Sequence, residues 1–255
     1  YKNGINTLDT AKGYGESEKA LGLYLKNKKS ENWNIITKFG TCDNINQQYI
    51  NSCQKMNIKP NMILAHSVDV FISTNFQKFA ESMSEKYPFL KVGVSIYDEK
   101  DIQRALSSPF KPKIIQLPIN ILDTRLFHNG VISQLFDFGI LIHARSVFLQ
   151  GLFYLSSLEI KKYFNDLDPV IKKLKLIASK ANITLAELSL LWLKSISELS
   201  LIIVGVDKSD QLIQHLNTLN KTVKADVFDE ALSIRYTNEE ILNPALWSKN
   251  FFNLK

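Results

Sequence analysis

Short runs of aliphatic residues alternate along this chain with longer stretches whose apolar positions recur every three to four residues. The runs are Ile5–Leu8, Ile35–Thr37, Met62–Ala65, Val92–Ile96, Ile114–Ile119, Ile140–Ala144 and Leu201–Val206. They are continuous rather than alternating in polarity, and rich in Ile, Leu and Val. That is the pattern of strands buried on both faces, as in a parallel sheet covered by helices. The stretches between them read as helices over Ser17–Asn27, Gln47–Met56, Thr74–Lys86, Glu99–Leu106, Gly130–Phe138, Pro169–Ala181, Leu185–Ser195 and Gln211–Asn220. Three carry start signals: Ser17 precedes an amphipathic run, Thr184 has Glu187 three residues later, and Ser209 precedes Asp210. Leu149–Asp168 reads as the longest irregular connection, and a loop of that length is often functional.

No low-complexity tract or Pro/Gly-rich hinge interrupts the alternation, so a single domain over residues 1–255 is expected. Seven strand–helix units suit either a doubly wound open sheet or an eight-stranded barrel with one strand missing. The chain opens at Tyr1 inside what reads as a structural element. This favours an α/β fold of the second kind, a (β/α)8 TIM barrel lacking its first strand.

Composition narrows the classes. With 45% hydrophobic and 22% charged residues, the chain is neither disordered, collagen-like nor a disulfide-stapled miniprotein. No apolar run approaches the roughly 20 residues needed to cross a bilayer. Tyr1-Lys2-Asn3-Gly4 lacks the basic–apolar–small order of a signal peptide, so a cytoplasmic protein with no membrane partner is expected. The two cysteines, Cys42 and Cys53, make no metal-ligand spacing, and no metal is expected. A net charge of +6 is a mild excess, with short lysine runs only at Lys26–Lys29 and Lys172–Lys175. Nucleic-acid binding is therefore not expected, although a basic surface suits an anionic cofactor or substrate. Oligomeric state is left open.

Polar residues fall at one end of the runs. Asp9, Lys38, His66 and Arg145 directly follow a run, Ser95 follows Val92–Val94, and Ile114–Ile115 leads into Gln116. In (β/α) barrels the active site is built at that end of the strands. Taken singly, each has an ordinary reading: Asp9 as a turn cap, Lys38 snorkelling outward, His66 as a structural histidine, Ser95 and Gln116 as fillers. Together they would be costly to desolvate unless paired with one another or with a ligand. Tyr14 follows Asp9 closely, in a loop between Gly13 and Gly15. A lysine near a phenol favours the phenolate, and a carboxylate near that lysine fixes the ammonium. A Tyr–Lys–Asp–His group is thus a proton donor suited to carbonyl chemistry.

These residues resemble those of the aldo-keto reductases. Gly4-Ile5-Asn6-Thr7-Leu8-Asp9-Thr10-Ala11-Lys12-Gly13-Tyr14-Gly15-Glu16-Ser17-Glu18 is similar to that family's first signature. Ile36-Thr37-Lys38, Leu64-Ala65-His66-Ser67-Val68-Asp69, Val92-Gly93-Val94-Ser95, Ile115-Gln116 and Ile203-Val204-Gly205-Val206 follow in the family's order. The resemblance implies a reductase of aldehydes or ketones, including sugar-like ones, using NADP(H), with NAD(H) the alternative. It assigns Tyr14 as general acid, Lys38 as the residue that lowers its pKa, Asp9 as the holder of Lys38, and His66 as the orienter of the carbonyl. Ser95 and Gln116 would grip the nicotinamide carboxamide, and Ser146 with Phe148–Gly151 would lie along the pyrophosphate. The loop after Gly205 and the helix near Ser209 would meet the adenosine end, with Lys208 a candidate partner for a 2′-phosphate that Asp207 would repel.

Four positions depart from the family pattern. Ile96 stands where an Asn is usual, Arg145 where an aromatic stacks on nicotinamide, Gln211 where an arginine is usual and His215 where an Asn contacts adenine. A guanidinium can stack on a planar ring but adds positive charge beside it. Ile96 and Arg145 keep a second reading open, a cofactor-binding regulatory barrel resembling potassium-channel β subunits. Substrate choice in this fold sits in loops and the C-terminal tail, here Leu149–Asp168 and Tyr236–Lys255. In the tail, Trp247, Phe251 and Phe252 either close over the pocket or cover the outer surface.

Overall fold

The structure, a computed structural model, describes residues 1–28 and 31–247. Phe251 and Phe252 lie outside the described residues. Two compact units divide the chain: Tyr1–Leu117 with Asp137–Leu141, and Pro118–Phe136 with the described residues from Ile142 onward.

The first unit is a βα alternation: β1 (Thr7–Asp9), α1 (Ser17–Leu25), β2 (Asn34–Phe39), α2 (Ile45–Met56), β3 (Met62–Ala65), α3 (Val68–Ile72), α4 (Thr74–Lys86), β4 (Lys91–Ser95), α5 (Glu99–Ser107) and β5 (Ile114–Pro118). Each strand pairs in parallel with the next, with Asp9 opposite Ile36, Lys38 opposite Leu64, and Ser95 opposite Gln116. Because the strands run the same way, their polar C-terminal residues emerge at one end. The ladder continues past the strand ends, with Lys12 N donating to Lys38 O at 3.1 Å and His66 N to Phe39 O at 2.9 Å. Ile35, Ile36, Ile63, Leu64, Val92, Val94, Ile114 and Ile115 are fully enclosed, each contributing roughly 1.5–3 kcal/mol of burial. At Gly93 the strands approach so closely that a Cβ would lie 2.0 Å from Ile114 O, so only glycine fits there.

The second unit contains α6 (Arg125–His128), α7 (Val131–Asp137), β6 (Leu141–Arg145), α8 (Ser157–Tyr163), α9 (Asp168–Lys180), α10 (Leu185–Ser195), β7 (Leu199–Ile202), α11 (Ser209–Thr218), α12 (Ala225–Leu232) and α13 (Glu239–Leu242), with Asp137 and Leu141 counted in the first unit. β6 and β7 are parallel, with Ala144 opposite Ile202. Its core centres on α10, whose Leu185, Leu188, Leu190, Leu191, Trp192 and Leu193 are buried. Ser189 on this helix is also buried; its hydroxyl donates to Val147 O at 2.8 Å and accepts from Ile121 N at 3.2 Å, pinning two loops.

Several expectations are corrected. Leu149–Asp168 is not irregular: it holds a 3₁₀ turn over Leu149–Tyr154, α8, and a second 3₁₀ turn over Asn165–Leu167. The cause is a capping box in which Ser156 and Glu159 satisfy each other's backbone N–H groups. The same device starts α10 at Thr184 and Glu187, as expected. Ser17 and Ser209, by contrast, lie inside their helices; Glu16 and Lys208 occupy the cap positions. The strands at Thr7–Asp9 and Leu199–Ile202 are half-buried rather than enclosed on both faces. Among the described residues of each unit, each has one strand neighbour, β2 and β6 respectively, so one flank stays open. No single helix among the described residues is long and apolar enough to cross a membrane.

Candidate active site

In the first unit, the ends of β1, β2 and β5 bring three polar side chains into one group. Lys38 is only 1% exposed, and its Nζ pairs with Asp9 Oδ1. The same ammonium donates to Thr10 O at 3.1 Å. The other Asp9 oxygen, Oδ2, accepts from Gln116 Nε2 at 2.9 Å. A buried ammonium is tolerable here because a carboxylate and a carbonyl replace its hydration.

Above the pair lies Tyr14. Its ring centroid is 5.2 Å from Lys38 Nζ, and the ring meets His66 edge-on at a centroid distance of 6.0 Å and an angle of 71°. Tyr14 is 47% exposed and His66 is exposed, so both reach solvent while Lys38 and Asp9 stay beneath. The loop that carries the phenol turns at Gly15, where φ is +55°. Tyr14 N donates to Ala11 O and Ser17 N to Tyr14 O, each at 3.0 Å, so the loop is a pair of tight turns closing on α1. This arrangement can hold a proton on a phenol over a fixed cation, beside an imidazole able to share a hydrogen bond.

Ser95 is buried at the end of β4, and Ile96 next to it is buried too, its N–H donating to Gln116 O at 2.9 Å. Gln116 therefore belongs to the carboxylate's shell as well as to the group expected to face a cofactor. Thr10, whose carbonyl receives the Lys38 ammonium, and Glu18, which accepts from Thr37, were not singled out from the sequence; both lie within the quoted signature.

The second unit gathers the other expected residues. Arg145 ends β6 half-buried, with Nη1 donating to Ser146 Oγ at 3.2 Å. Ser146 itself has φ of +58°, and Leu149, Gln150 and Gly151 follow at +44°, +53° and +87°. Three non-glycine residues in this region represent stored backbone strain of about 1–3 kcal/mol each, a cost that clusters at ligand sites. Phe148 stacks on His215 of α11 at a centroid distance of 4.7 Å, joining this loop to that helix. Burial pushes the His215 imidazole below its usual pKa. Gly205, Asp207 and Lys208 are exposed; Gln211 Oε1 accepts from Asp207 N at 2.7 Å and Lys208 N at 3.3 Å, closing the start of α11. A cavity of about 560 Å³ is lined by residues including Tyr154, Thr184, Glu187, Gln214 and His215. Trp247 packs on Phe164 at 4.9 Å and donates to Ile241 O at 2.9 Å.

Comparison with known proteins is consistent with this geometry. The model of the Aldo/keto reductase family matches residues 1–235, and the chain belongs to that family. Among solved structures, the chain is similar to a thermostable aldo-keto reductase, Tm1743, in complex with the inhibitor epalrestat, at 20% identity and TM-score 0.71, covering 91% of this chain and 83% of that one. It is also similar to an aldo/keto reductase from Klebsiella pneumoniae in complex with NADP and acetate, at 16% identity and TM-score 0.68, covering 90% and 80%. A third is the aldo-keto reductase AKR11C1 from Bacillus halodurans in its holo form, at 18% identity and TM-score 0.72, covering 97% and 86%. These likenesses show the fold, an α/β barrel of the aldo-keto reductase type. No match is found among curated proteins.

Proposed function

We propose that this chain is an NAD(P)H-dependent oxidoreductase that reduces a small aldehyde or ketone to an alcohol in the cytoplasm. The observation that carries the reading is the enclosed Lys38–Asp9 pair beneath the ring of an accessible tyrosine. A nicotinamide cofactor, when bound, supplies the hydride. The protein's part is to bind and orient the carbonyl and to give its oxygen a proton. Tyr14 Oη donates that proton, and His66 shares the hydrogen bond to the same oxygen. The Lys38 ammonium stabilises the phenolate left behind, and Asp9 keeps the ammonium in place. Gln116 holds the second oxygen of Asp9, which fixes the carboxylate's orientation.

The second unit's residues fit a dinucleotide. Its strained loop from Ser146 to Gly151, the start of α11 and the cavity beside His215 offer backbone turns, a helix N-terminus and room for an adenosine. NADP(H) is the favoured form: Lys208 is exposed and able to meet a 2′-phosphate, while the adjacent Asp207 would oppose one and keeps NAD(H) as the alternative.

A second reading, a regulatory barrel that binds the cofactor with little turnover, is favoured by one observation. Ile96 has no side-chain amide for a carboxamide, and one N–H of the Gln116 amide is given to Asp9. Titrating NADPH and NADH by fluorescence and then assaying a panel of carbonyls separates the two. Binding with turnover supports the reductase; binding without turnover supports the regulator; no binding removes both.

A further inference from the structure

One carboxylate of the first unit is almost wholly enclosed yet takes no part in the proton transfer above. Glu18, in the first turn of α1, is 2% exposed, and its Oε1 accepts from Thr37 Oγ1 at 2.8 Å. Just before it, Ser17 Oγ accepts from Thr10 Oγ1 at 2.8 Å. Thr10 follows Asp9 and supplies the carbonyl that receives the Lys38 ammonium; Thr37 precedes Lys38. Successive side chains of a strand point to opposite faces, so Thr37 meets α1 on the face away from Lys38. α1 is itself held: a Cβ at Gly22 would lie 2.1 Å from Lys55 O, so the helix backbone rests directly on the end of α2. Two consecutive residues of one seated helix thus fasten the ends of both strands that carry the ion pair. An apolar side chain would fill the same space without the cost of enclosing a carboxylate.

We propose that Glu18 is a positioning residue: through Thr37, and with Ser17 acting on Thr10, it sets the ends of β1 and β2 so that the Lys38 ammonium stays between Asp9 and the Tyr14 ring. The inference rests on the reading of Tyr14 as the proton donor. Its test is Thr37→Val, with Thr37→Ser as the restoring variant, in the full chain. Two quantities are read. One is the Tyr14 phenol titration, taken as the tyrosinate absorbance difference between each protein and the same protein carrying Tyr14→Phe. The other is kcat for carbonyl reduction.

Thr37→Val raises the Tyr14 midpoint toward the ordinary value of about 10 and lowers kcat about tenfold, the equivalent of one pKa unit, with the cofactor KM unchanged. Thr37→Ser returns both to the parent values. Should Thr37→Val fold poorly, Glu18→Gln, which keeps an acceptor for the Thr37 hydroxyl, behaves as the parent, while Glu18→Ala shows the raised midpoint. A Thr37→Val protein that melts earlier but titrates and turns over like the parent overturns the proposal, because the contact is then structural only. If no protein reduces any carbonyl, yet the midpoint still rises in Thr37→Val and returns in Thr37→Ser, the positioning stands and the reductase reading falls. An ordinary Tyr14 midpoint in the parent overturns both.

Discussion

The residues expected at the two units' functional regions are arranged in opposite ways. In the first, Lys38, Asp9 and Gln116 bond to one another at the strand ends, while Tyr14 and His66 are exposed. In the second, Gly205–Lys208 lie exposed, and the loop from Ser146 to Gly151 holds four residues at positive φ. A group that must transfer a proton needs a fixed field, which a prebuilt, enclosed pair supplies without rearrangement. A region that must grasp phosphates and a ribose needs unfilled donors. On the function proposed above, proton transfer falls to the first unit and the adenosine end of the cofactor to the second.

Breaking the first unit's pair should have the largest effect. Lys38→Met leaves Asp9 without its cation and is expected to destabilise the fold by about 3–5 kcal/mol, seen as a lower midpoint in urea. A midpoint within error of the parent would mean that the pair does not organise the strand ends. On the ligand-capture side, Lys208→Ala is expected to weaken NADPH binding roughly tenfold, or about 1.4 kcal/mol, and to leave NADH unchanged. Equal losses for both cofactors would remove Lys208 from the 2′-phosphate.

Thr184→Ala opens the capping box of α10 and should cost about 1 kcal/mol in stability, read as a lower thermal midpoint. The smallest effect concerns His215, whose pKa is lowered by burial from the usual 6.5. The unfolded chain then binds a proton at a higher pH than the folded one, so this residue's contribution to stability is present above about pH 6.5 and is lost as pH falls below it. Thermal midpoints measured downward from pH 7.5 should decline less steeply in His215→Gln than in the parent.

The sequence carries part of this picture openly. A parallel sheet was legible because β2 to β5 are continuous aliphatic runs, and Asp9, Lys38 and Gln116 were legible as polar residues that interrupt or follow aliphatic ones. Their partnership was not: Gln116 lies 107 positions from Asp9, and no local pattern links them. The helix at Ser157–Tyr163 was signalled by Ser156 and Glu159, yet its exposed Leu158 and the lysines of its last turn hid the amphipathic period. Left-handed Leu149 and Gln150 had no sequence signal, since neither residue type favours that conformation. Half-burial of β1 and β7 depends on which neighbours pair with them, which periodicity does not encode.

Tyr14→Phe tests the central claim most directly, because it removes one oxygen and leaves the pair beneath. The measurement is kcat for reduction of a carbonyl that the parent turns over, with NADPH affinity recorded on the same samples. The account predicts a loss of at least about 10² in kcat with cofactor affinity unchanged. A variant that keeps the parent's turnover would contradict it, since the proton would then come from another group.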